Sequence, residues 1–227
     1  GSHGYQTTTH KALDTLIESW ANTSGDSDPL AIALQEAVSE EFELKNTAKW
    51  WPAAARARAA ATLAEGETRR GLRAFVREMY NETQAWLSRT GLNEVLAWRG
   101  AAFFRPIPGT TWEPQARKAV ASRCRLQLQP MSSFSTEGAE SLFFASFQDG
   151  DYKMAMVARI PRERILATFK TGFGCMGEHE MVVLGGQDDL FLAATWNRRR
   201  AEIDGMAELA QLLGPASRAT EAEAHEQ

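Results

Sequence analysis

With 227 residues, 44% hydrophobic and 24% charged, the chain is long enough to bury a sizeable core, and it has the balance of an ordinary globular protein. Its net charge of −4 carries no basic footprint of a nucleic-acid binder, which lowers that class without closing it. The two cysteines, Cys124 and Cys175, and the four histidines, His3, His10, His179 and His225, lack the spacing of a zinc site, so no metal is expected.

No stretch approaches the ~18 apolar residues of a membrane span, and no secretory signal is visible, so no membrane partner is expected. Gly1-Ser2-His3 reads as the remnant of an expression tag. From residue 4 to 91 the pattern is helical. Leu13, Leu16, Ile17 and Trp20 mark a short amphipathic helix, and Asp28-Pro29 starts a second through Phe42, with proline at the first helical position. Trp50-Trp51-Pro52 interrupts, and an alanine-rich third helix runs from Ala53 to Ala64. The strongest signal spans about Glu67 to Ser88. Its Leu72, Phe75, Val76, Met79, Tyr80, Thr83, Trp86 and Leu87 form one broad apolar stripe that must bury against something, and Thr90-Gly91 ends the helix.

Residues 92–214 read as β-rich. Strands are expected over Glu94–Phe104, Arg125–Gln129, Tyr152–Ile160, Arg164–Phe169, Glu178–Leu184 and Leu190–Trp196, with a helix over Glu137–Phe147 and a C-terminal helix carrying Ile203, Met206, Leu209, Leu212 and Leu213. The alanine- and glutamate-rich tail, 215–227, lacks apolar periodicity and is expected to be disordered. The fold class is α+β.

Three stretches hold polar groups that suggest chemistry. Arg99 sits between Trp98 and Gly100 in an apolar strand. It is either a surface ion pair or a planar fork for a diphosphate that the adjacent glycine lets approach. Ser133-Phe134-Ser135 lies where a strand meets a helix, and either hydroxyl can simply cap that helix. Glu178-His179-Glu180 leads into the buried run Met181-Val182-Val183-Leu184. Strand alternation would set both carboxylates on one face and His179 on the other, where it packs. Such a like-charged pair is either a solvated strand end or a seat for something cationic.

Taken in order, these stretches resemble the Arg–Ser–Glu class of mono-ADP-ribosyltransferases, whose pattern is aromatic-Arg-Gly, then S-x-S on a strand, then E-x-E. Trp98-Arg99-Gly100, Met131-Ser132-Ser133-Phe134-Ser135 and Glu178-His179-Glu180 carry the likeness, over roughly residues 92–197. The resemblance implies a helical bundle packed on an ADP-ribosyltransferase-like split β-sandwich, with 92–214 as the catalytic domain and NAD as substrate. It assigns Glu180 to the ribose and its cationic transition state, Ser133 to orienting Glu180, and Arg99 to the diphosphate, with Gly100, Phe134 and Ser135 completing the NAD-binding set. Glu178 would orient or deprotonate the acceptor. A glutamate at that place goes with arginine acceptors in the family, and Phe173 becomes either an acceptor contact or a core residue.

The N-terminal helices look like those of family members associated with phage Mu-type head proteins and with bacterial toxins. The expected activity is therefore an arginine-specific bacterial toxin or effector, cytoplasmic or delivered into a target cell, with an immunity or delivery protein as a further partner. Three alternatives stand beside it: an NAD glycohydrolase, an enzyme that modifies nucleic acid, and a non-enzymatic phage component. One departure is visible, because Phe143 and Phe144 fall on a helix where toxins of the family carry an aromatic-rich loop.

Overall fold

The computed structural model describes Thr15, Glu18 and residues 28–44, 51–64, 66–107, 120–172, 179–185 and 188–197, with side chains left aside at 120–122, 188–190, 192 and 194–197. The expected helix near residues 10–20, the C-terminal helix and the tail lie outside these residues. The elements are helices α1 (Pro29–Glu41), α2 (Ala53–Ala64), α3 (Gly66–Arg89) and α4 (Gly138–Phe147). The strands are β1 (Glu94–Phe103), β2 (Val120–Gln127), β3 (Met131–Ser135), β4 (Tyr152–Pro161), β5 (Ile165–Thr168), β6 (Glu180–Leu184) and β7 (Asp188–Asn197). This is an α+β chain with antiparallel strand pairs. Among the described residues no helix is long and apolar enough to cross a membrane.

The contacts divide the chain into two units, and the division is not a single cut after the helices. One unit takes the described residues of Gly1–Leu92, Gln127–Ser133 and Arg162–Gln187, and the other those of Asn93–Leu126, Phe134–Pro161 and Asp188–Gln227. Strand β3 is where the chain passes from one to the other.

In the first unit, Asp28 caps α1 through Oδ1, which accepts the Leu30 and Ala31 N–H groups at 2.7 and 3.3 Å, and Pro29 occupies the first turn. The α3 stripe buries Leu72, Val76, Met79, Thr83 and Leu87 as its spacing demands. Gly91 ends that helix at φ 72°, with the Leu92 N–H on the Leu87 carbonyl at 3.1 Å. One core joins Ile32, Leu34 and Val38 of α1, Leu63 of α2 and Leu72, Val76 and Met79 of α3 to Met131, Leu166, Ala167, Val182 and Leu184 of the strands. Strand β6 lies between the start of β3 and β5.

Helices α1 and α3 are also clamped by charge. Arg77 Nε donates to Glu41 Oε1 and Arg73 Nε to Glu41 Oε2, each at 2.8 Å, and Arg77 Nη2 donates to the Glu41 carbonyl at 2.9 Å. The Arg77 hydrogen bond, joined by Arg73, holds the Glu41 carboxyl below the usual carboxylate range.

In the second unit the order is β2-β7-β4-β1, with the end of β3 on the far side of β1. Strand β4 pairs with β1 from Glu94↔Pro161 to Phe103↔Tyr152. Its core holds Trp98, Phe134, Met154, Met156, Ile160 and Phe191.

Leu166→Ala, at a fully buried site, is expected to lower stability by about 2–5 kcal/mol in denaturant titration. A wild-type midpoint would show that β5 is not part of the helical core. Glu41→Gln is expected to cost roughly 1 kcal/mol at neutral pH. Because the folded-state pKa of Glu41 is depressed, the wild-type advantage is present above the ordinary carboxylate range and fades as pH falls through the lowered value. Equal melting temperatures at pH 7 would count against the clamp.

Candidate active site

Arg99 lies in the middle of β1, paired with Met156 of β4, while its neighbour Trp98 pairs with Ser135 of β3. Alternation sends Trp98 and Gly100 to one face and Arg99 to the other. On the Gly100 face sits α4. A Cβ at Gly100 would fall 1.8 Å from the Ser141 carbonyl oxygen and 2.6 Å from the Ala145 nitrogen. The close approach that Gly100 permits is therefore to a helix backbone. The room its missing side chain leaves is filled by α4 and does not form a phosphate seat.

On the other face the half-buried Arg99 is supported by aromatic rings. Its guanidinium carbon lies 5.8 Å from the centroid of the Phe134 ring, which stacks at 6.1 Å and 17° on Phe191. A cation over a ring face gains roughly 0.5–1 kcal/mol at a partly exposed site, and the planar group stays available for a bidentate anion contact. Phe134, expected in the NAD-binding set, is 2% exposed. Its side chain serves the arginine from beneath. Ser135 is also committed locally, since its Oγ accepts the Glu137 N–H at 2.9 Å as the chain turns into α4. Of the two hydroxyls in the motif, the half-buried one is Ser133, which belongs to the other unit. The helix expected to carry Phe143 and Phe144 is present as α4, with Phe143 exposed.

In the first unit Glu180 is the first residue of β6 and is half-buried. Its carbonyl accepts the Phe169 N–H at 2.9 Å, the next rung beyond Thr168↔Met181. The four residues that follow are buried, so the carboxylate stands where a strand leaves the apolar core. His179 is not extended. Its φ is 46°, in the left-handed region, and its ring meets Phe169 edge-on at 5.3 Å. The expected packing role of His179 therefore stands, but the strand alternation that would align Glu178 with Glu180 is broken between them. Glu178 and Phe173 lie outside the described residues.

The loop that leaves β5 is anchored on α3. Thr83 Oγ1 and Thr171 Oγ1 are 2.8 Å apart, and Thr171 Oγ1 is 2.9 Å from Thr168 Oγ1. The Thr171 and Gly172 N–H groups bond the Thr168 carbonyl at 3.1 and 3.0 Å. Lys170 places its ammonium 5.4 Å from the Trp86 ring and 5.7 Å from that of Phe169. The sequence offered one hint of this anchor, a threonine in an otherwise apolar helical stripe. Pairing with Thr171, 88 positions away, is a tertiary event.

Among the described residues no three His, Cys, Asp or Glu side chains group so as to hold a metal. No protein-family model, curated protein or solved structure matches the chain.

Gly100→Ala adds one methyl group against the α4 backbone and is expected to destabilise by about 1–3 kcal/mol, read as a lowered denaturation midpoint. An unchanged midpoint would mean that α4 does not close over β1.

Proposed function

We propose that the chain is an NAD-dependent mono-ADP-ribosyltransferase acting on a protein arginine, as a toxin or effector, with the split β-sandwich of that class as its fold. The observation that carries this reading is the ordered set Arg99, Ser133 and Glu180, each borne by a separate strand: β1, β3 and β6. The chemistry of these groups fits NAD. A half-buried guanidinium held on an aromatic stack suits a diphosphate, and a fixed carboxylate at a strand start suits a sugar that becomes cationic as nicotinamide leaves.

In this reading Arg99 binds the diphosphate oxygens through its planar fork. Glu180 holds the ribose 2′-hydroxyl and stabilises the positive charge that develops on the sugar, the largest catalytic contribution expected of any one group. Ser133 orients Glu180. Glu178 positions the acceptor guanidine and takes its proton as the new bond to the ribose forms. No metal is required, because the positively charged leaving group departs as neutral nicotinamide.

Incubation with labelled NAD and a cell lysate tests the reading. Glu180→Gln is expected to lower NAD cleavage at least about a hundredfold without lowering the melting temperature, as loss of a preorganised charge should. Glu178→Gln should retain hydrolysis and lose transfer. Protein adducts on arginine support transfer, free ADP-ribose alone indicates a glycohydrolase, and nuclease-sensitive label indicates a nucleic-acid acceptor. Neither cleavage nor a melting shift with NAD would leave a non-enzymatic phage component as the better account.

A further inference from the structure

We infer that His179 is a positioning residue for Glu180, which rests on the reading of Glu180 as the ribose carboxylate. Among the described residues two non-glycine positions have positive φ, Glu43 and His179. Glu43 has an ordinary cause: it follows the α1 cap residue Phe42, and the next N–H, from Leu44, bonds the Ser39 carbonyl at 2.9 Å. His179 ends no helix. It stands directly before a strand whose first residue is the candidate catalytic carboxylate, and strain of this kind collects where a side chain must be aimed.

Two constraints converge on Phe169. Its N–H bonds the Glu180 carbonyl, and its ring braces the His179 imidazole edge-on. The Phe169 backbone follows Thr168, which the Thr83–Thr171–Thr168 hydroxyl chain ties to α3. The direction in which Glu180 leaves the backbone is therefore set by a left-handed turn held on an anchored loop. An extended residue at 179 would rotate the peptide ahead of Glu180 and let the carboxylate drift. Histidine, like asparagine, tolerates the left-handed region, whereas a β-branched residue opposes it.

The test compares wild type, His179→Asn, His179→Val and Phe169→Leu in NAD cleavage, with kcat, KM and melting temperature measured for each. His179→Asn should keep kcat within about threefold of wild type, while His179→Val should lose about tenfold or more in kcat with KM for NAD within about twofold. Phe169→Leu removes the brace and keeps the turn, so it should lower kcat about threefold at unchanged KM, which serves if the valine variant does not fold. Full kcat in His179→Val, or kcat falling in parallel with melting temperature in both His179 variants, overturns the assignment while leaving Glu180 in its role. A wild-type chain that does not cleave NAD overturns the reading of Glu180 and this inference with it.

Discussion

The apolar core shared by three helices and the strands β5 and β6 is the interaction on which the candidate carboxylate depends. A strand pair of four and five residues is marginal by itself, because it has too little surface to offset the entropy of ordering it. Here Leu166 and Ala167 of β5 and Val182 and Leu184 of β6 meet the buried faces of α1, α2 and α3. Polar ties add direction to that contact. Gln84 Nε2 donates to the Arg162 and Ile165 carbonyls at 2.8 and 2.9 Å, and the Tyr80 hydroxyl donates to the Glu163 carbonyl at 3.1 Å. The helices therefore brace the strand that begins with Glu180, and any further role for them would rest on their outer faces.

In the other unit, helix α4 fixes Arg99 from behind. The helix rests on Gly100, starts at the Ser135 turn and ends over a lysine. Lys153 is 3% exposed, and its Nζ donates to the Gln148 carbonyl and, at 3.4 Å, to the Ser146 carbonyl. A buried ammonium is tolerable where helix-end carbonyls and the negative end of the helix dipole face it. With α4 closed over one face of β1, the arginine is left to the other face, on the Phe134–Phe191 stack. The S-x-S motif thus divides its labour: Phe134 supports the arginine, Ser135 turns the chain into α4, and Ser133 alone keeps its hydroxyl outside both tasks.

The functional proposal gains from this division. A conformationally supported guanidinium loses less entropy on gripping a diphosphate, and a carboxylate seated on a braced strand is preorganised for developing positive charge. Both effects come from rigid neighbours, and neither needs an unusual residue at the site itself.

Much of the fold was legible in the residues. The apolar stripe of α3 predicted its buried face because a helix of that length hides every third or fourth side chain, and Asp28-Pro29 and Thr90-Gly91 marked ends through local capping chemistry. Strands β1, β4 and β7 followed from period-two patterning and turn residues, and the candidate residues Arg99, Ser133 and Glu180 were visible as polar side chains set in apolar strands. What only the tertiary structure decided depends on partners distant in the chain. Gly100 faces a helix because α4 packs there, Thr83 finds Thr171, β5 and β6 join the helices instead of the longer strands, and His179 takes a left-handed turn that strand alternation had excluded. Local pattern specifies which face of an element must be buried. It carries no information about what arrives to bury it, and at the candidate site that arrival sets where the functional groups point.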